Sequence, residues 1–102
     1  MLFWTPICEK MPTEDGWYFV KMTTINNGWE ITETLPAKLT VSGGELEWDI
    51  HGDDCYGVVI SFTGTHWENH WQDSYRRNRE TVYVDCYISY DITHWAQVVF
   101  GG

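Results

Sequence analysis

The chain has 102 residues, 43% of them hydrophobic, and a formal net charge of −9 from 15 Asp plus Glu against 6 Lys plus Arg. That length fits a single domain with one core and leaves no room for a second. The charge argues against direct binding of nucleic acid or an anionic membrane and in favour of basic partners.

In chain order, Asp15-Gly16 reads as a turn that releases a strand, Trp17 to Met22, rich in aromatic and β-branched residues. Asn26-Asn27-Gly28 supplies the positive φ values of a tight turn, so Trp29 to Thr34 is expected to fold back as a hairpin partner. Beyond Pro36, the segments Ala37 to Val41 and Glu45 to Ile50 flank Ser42-Gly43-Gly44, a second hairpin signal. His51-Gly52-Asp53-Asp54 reads as an exposed turn, and Tyr56 to Phe62 as a more deeply buried strand.

Thr65-His66-Trp67-Glu68 fits the S/T-x-x-E capping box, in which a hydroxyl and a carboxylate satisfy the first amides of a helix. Trp67, Trp71 and Tyr75 then recur every four residues, and Arg76, Arg77 and Arg79 come late, where they oppose the helix dipole. These signals predict a helix near residues 66–78. From Thr81 to Tyr90, Val82, Val84, Cys86 and Ile88 alternate with polar or aromatic neighbours in the period of a long strand. Asp91 reads as a turn and Ile92 to Phe100 as the last strand. The expected fold is mainly β with one helix (α+β): a twisted antiparallel sheet, curled toward a barrel, in a single domain spanning 1–102.

The cysteines are Cys8, Cys55 and Cys86. An odd count fits a reducing compartment better than a disulfide framework. The opening Met-Leu-Phe-Trp-Thr-Pro has neither the positive head nor the apolar run of an export signal, and no apolar stretch approaches transmembrane length. A cytoplasmic protein is expected.

Three constellations could carry function. In the most specific, Glu45, Glu47 and Asp49 alternate with Leu46, Trp48 and Ile50, so one strand face is apolar and the other holds carboxylates in a row. Asp53 and Asp54 extend it into the following turn. Successive carboxylates about 6.5 to 7 Å apart loosely resemble one phosphate strand, whereas the plainer reading is a solvated face that aids solubility.

In the second, His66 and His70 stand four apart, the spacing at which two imidazoles on a helix can share a metal, with Cys55, Cys86 or His94 as a third ligand. The segment is not H-E-x-x-H, because Trp67 occupies the position of the catalytic Glu, and cap or surface histidines explain it as well. The third is a sugar-stacking platform of Trp29, Trp48, Trp67, Trp71 and Tyr83, against which core packing accounts for Trp48 and Trp67. No nucleophile elbow or phosphate-cradling loop is present, so no catalytic residue, cofactor or resident metal is assigned.

The two ends of the chain add a family resemblance. Trp4, Pro6, Glu9, Met11, Pro12, Gly16 and Val20 resemble the W-x-P-V-x-E-x-L-P-x-x-G segment of a small domain of unknown function frequent in phages and prophages. Thr93-His94-Trp95 resembles its closing V-T-H-W, although Ala96-Gln97-Val98 departs from the M-P-L-P that follows there. The resemblance implies a phage-type domain and brings no catalytic residue with it. It also suggests that Trp4 and Trp95 pack together at the termini, with His94 hydrogen-bonded to backbone.

Charge, size and resemblance together point to a non-enzymatic accessory protein of a bacterial host cell that binds a basic host protein. A nuclease or CRISPR effector would be one such partner, making the chain an anti-CRISPR or anti-restriction inhibitor. Glu45, Glu47, Asp49, Asp53 and Asp54 would enter a cationic groove, with Trp29 and Tyr83 as aromatic anchors.

Overall fold

A computed structural model of the chain describes residues 3–52 and 59–98. These form one antiparallel sheet of seven strands: β1 (Thr5–Pro6), β2 (Gly16–Asn26), β3 (Trp29–Ser42), β4 (Glu45–His51), β5 (Val59–Thr63), β6 (His66–Arg77) and β7 (Glu80–Gln97). The neighbour order is β1-β7-β2-β3-β4-β5, with β6 also paired to β7. The sheet is therefore open, not closed into a barrel.

The turns explain the hairpins. Asn27 and Gly28 have φ of 49° and 91°, and Gly43 and Gly44 of 60° and 83°, as two-residue hairpin turns with both central residues at positive φ require. β3 runs through Pro36, merging two strands that the sequence separates. Pairing with β4 ends at Ala37↔Ile50, so Pro36 sits where β3 has no partner on that side, and its missing N–H breaks no ladder there.

Strand alternation sorts the sheet into two faces. The inner face carries Tyr18, Val20 and Met22 of β2, Leu35, Ala37 and Leu39 of β3, Leu46, Trp48 and Ile50 of β4, Phe62 of β5 and Ile92 of β7, which pack into one core. Trp48, the largest of the fully buried side chains, is 1% exposed. On β7 the alternation breaks between its pairings with Lys21 and Met22: Lys21 faces His94 but Met22 faces Ile92, leaving Thr93 as a bulge. Asp91, expected as a turn, pairs regularly with Thr23 and His66, and the strand continues through it.

The expected helix is absent among the described residues. Residues 66–77 are β6, paired without a register break from His66↔Asp91 to Arg77↔Glu80. The four-residue spacing of Trp67, Trp71 and Tyr75 is even, so it places those rings on one face of a strand as well as on one side of a helix. The three-residue steps that a helix stripe also needs fall on His70 and Ser74, and the segment is poor in strong helix formers. Glu68 does not cap: it lies 3.6 Å from His66 Nε2 and accepts a hydrogen bond from the Tyr87 hydroxyl.

Pairing of β7 with β2 ends at Asn26↔Ile88, and beyond that point β6 and β7 continue as a two-stranded arm. Asn27 at the β2–β3 turn secures the root of this arm: its N–H donates to Tyr87 O (2.9 Å), and its side-chain oxygen accepts from Tyr87 N–H (2.8 Å). The arm makes the molecule 64 × 31 × 20 Å, with a radius of gyration of 16.9 Å against the roughly 13 Å of a compact 100-residue domain.

At the other end, β1 pairs with β7 through Thr5↔Trp95 and Pro6↔His94. The two terminal tryptophans have separate partners. Trp95 makes an edge contact with Tyr18 (5.6 Å between centroids) and donates to Lys10 O (2.8 Å), while the Trp4 ring lies under the Lys21 ammonium at 4.7 Å. No helix among the described residues is long and apolar enough to cross a membrane.

Candidate interaction surface

β4 lies between β3 and β5, and its alternation aims Glu45, Glu47 and Asp49 at the outer face. Cross-strand neighbours are Ser42 for Glu45, Thr40 and Thr63 for Glu47, and Lys38 and Ser61 for Asp49. Ser61 Oγ donates to Asp49 Oδ1 at 2.6 Å, so Asp49 is held within the sheet, whereas Glu45 and Glu47 are exposed. The row thus runs over three residues, and its first two members, Glu45 and Glu47, are available to a partner. Asp53 and Asp54 lie outside the described residues.

The two aromatic anchors expected from sequence do not join this row. Trp29 stands at the β2–β3 turn, 78% exposed, on the inner side of the sheet. Tyr83 is 64% exposed on the arm, opposite Ser74 on its polar face. A ring that does stand beside the acids is Trp17, opposite Lys38 in the register of β2 with β3 and therefore in one outer-face row with Lys38, Asp49 and Ser61. It is 46% exposed, with His51 tilted against it at 5.1 Å. Trp17 escapes a sequence reading because Trp17, Tyr18 and Phe19 are consecutive aromatics, and nothing in that run marks which face is buried.

The histidine pair loses its geometric basis. On a strand, residues four apart are about 13 Å apart, far beyond the span of one metal's ligands. His66 Nδ1 instead lies 2.6 Å from Asp91 Oδ1, a hydrogen bond that raises the His66 pKa above its ordinary value. The His70 ring tilts against Tyr87 at 4.5 Å. Cys86 is on the opposite face, its thiol donating to Asp73 Oδ2 at 3.5 Å, and burial followed by that carboxylate raises its pKa. His94 Nδ1 pairs with the Thr93 hydroxyl (2.9 Å), not with backbone. Cys55 lies outside the described residues, and among those described no group of three His, Cys, Asp or Glu converges.

The platform of rings divides in the same way. Trp48 is in the core, and Trp67 stacks on Tyr90 (5.5 Å), which stacks in turn on Phe62 (6.2 Å). This stack carries the inner face of the sheet out onto the arm, where Trp67, Trp71, Tyr75, Val82, Val84 and Ile88 share one side. Trp71 is 38% exposed, and its indole N–H donates to Asp73 Oδ2 at 3.2 Å. The arm is therefore amphipathic: Trp67, Trp71 and Tyr75 are on the inner side, and His66, Glu68, His70, Gln72, Ser74 and Arg76 are on the outer, with Tyr83 and Tyr87.

No family model, curated protein or solved structure matches the chain.

Proposed function

We propose that this is a non-catalytic, acidic binding protein of the phage accessory type, which acts in the cytoplasm of a bacterial host by occupying the cationic surface of a basic host protein. The observation that supports this reading best is the outer face of β4, where the exposed carboxylates of Glu45 and Glu47 stand in line with Asp49 and beside the half-exposed ring of Trp17. Long-range attraction from a chain of net charge −9 speeds encounter, and the Trp17 ring, two strands from Asp49 across Lys38, supplies apolar contact at the margin of the patch. Inhibition of a nucleic-acid-handling defence enzyme is the specific form of this reading, since such an enzyme offers a groove built for a row of negative charges.

The test is affinity capture from host lysate across a salt series with the wild-type protein and the Glu45→Gln/Glu47→Gln variant. The expected result is a basic protein retained at low salt, released as salt rises, and lost in the variant. Equal retention by the variant, or no basic protein retained at low salt, removes the proposal.

A further inference from the structure

β6 is an edge. Among the described residues its only sheet partner is β7, so every second residue of the twelve from His66 to Arg77 turns its backbone donor and acceptor to the free side. Proteins commonly blunt such edges with bulges, prolines or short strands. β6 has no proline and no register break against β7. Its charges are also ordered: the carboxylates Glu68 and Asp73 come before the guanidiniums Arg76 and Arg77. In a protein with 15 carboxylates, neither arginine has an ion-pair partner among the described residues, and Arg76 donates only to the backbone oxygen of Arg79 (3.3 Å).

A strand with acids first and bases last complements itself when a second copy runs antiparallel to it. We propose that the β6 edge pairs with β6 of a second copy of this chain about a two-fold axis at Gln72, joining two arms into one four-stranded sheet. In that register Glu68 faces Arg76 of the other copy on the outer side, and Trp67 faces Arg77 on the inner side, each contact occurring twice. Tyr75 stands opposite Asn69, diagonally between Trp67 and Trp71 of the other copy, within reach of both rings.

Neighbouring registers are worse. A shift of two residues one way sets Asp73 against Asp73, and the other way sets Arg76 against His66, losing the Glu68 pairing in both cases. Residues 66–87 hold four carboxylates and three arginines, so the joined segment is nearly neutral while the acidic bodies stay at opposite ends of the pair. The interface is separate from the β4 surface, so either proposal can fail without the other.

Sedimentation equilibrium on the full chain decides it, using wild type, Glu68→Arg, Arg76→Glu and the double exchange. All these positions are exposed, and unchanged far-ultraviolet circular dichroism verifies folding. The expected result is a wild-type dimer whose dissociation constant rises about tenfold or more in each single variant and returns toward wild type in the double one. Amide exchange in 66–77 should slow as protein concentration rises. A wild-type protein that stays monomeric, a dimer indifferent to the single reversals, or a double variant no better than either single one overturns the proposal.

Discussion

β7 passes through two environments. From Ile88 to Gln97 it has β2 on one side and parts of β6 and β1 on the other, whereas from Glu80 to Tyr87 only β6 accompanies it. The apolar alternation is similar in both halves, yet Ile92 is buried while Val84 is 42% exposed. Alternation therefore specifies which residues share a face; the number of neighbouring strands decides whether that face becomes a core. In the body, the curled sheet covers its own inner side. On the arm, the same kind of face lacks a covering layer, and what burial there is, as at Cys86, comes from the hairpin itself.

The largest test of this contrast is a pair of truncations. Trp48→Ala should destabilise the protein by about 3–5 kcal/mol in chemical denaturation, the cost of emptying a filled aromatic site. Trp71→Ala on the arm should cost less, about 1–2 kcal/mol in the monomer, because that ring is 38% exposed and has no second layer packed over it. Equal losses would mean that the arm is as integral to the core as β4.

A second, smaller effect probes the boundary between the two regions. Cys86 is buried at the arm root and its raised pKa keeps the thiol protonated at neutral pH, whereas Cys8 is exposed. Alkylation followed by peptide mass mapping should label Cys8 well before Cys86. Similar rates would show that the hairpin opens locally far more often than the body unfolds.

The smallest effect is electrostatic. Unfolded, His66 should titrate near 6.5; folded, its bond to Asp91 raises that value. Its stabilising contribution is thus fully present below about pH 6.5 and is lost as pH rises through the folded pKa. Because the imidazole is half-exposed, solvent screening keeps this contribution slight. In an NMR titration, Asp91→Asn should return His66 toward its ordinary value and flatten this part of the stability profile. An unchanged His66 pKa in the variant would show that the pair does not join the arm root electrostatically.

The body was largely legible because its signals agreed: Asn27-Gly28 and Gly43-Gly44 are turn residues of the right chirality, and the strands around them alternate cleanly. The arm was not, because its turn at Asn78 and Arg79 (φ 50° and 67°) places an arginine where glycine is the usual choice. Without that punctuation, the even spacing of Trp67, Trp71 and Tyr75 fits both periods, and a chance capping pattern at Thr65 tips the reading toward a helix. In the candidate surface, Glu45, Glu47 and Asp49 could be read from alternation within one strand. The neighbourhood of Trp17 could not, since it depends on which strands lie side by side.

The register of β7 also orders events in time. β6 and β7 meet across a two-residue turn, a closure of the kind that takes microseconds, but Val20 must find Trp95 almost at the far end of the chain. The slow step expected of folding is then the capture of a ready-made hairpin by β2, and the region with the least shelter in the finished molecule closes over a turn as short as those of β2–β3 and β3–β4, ahead of that step.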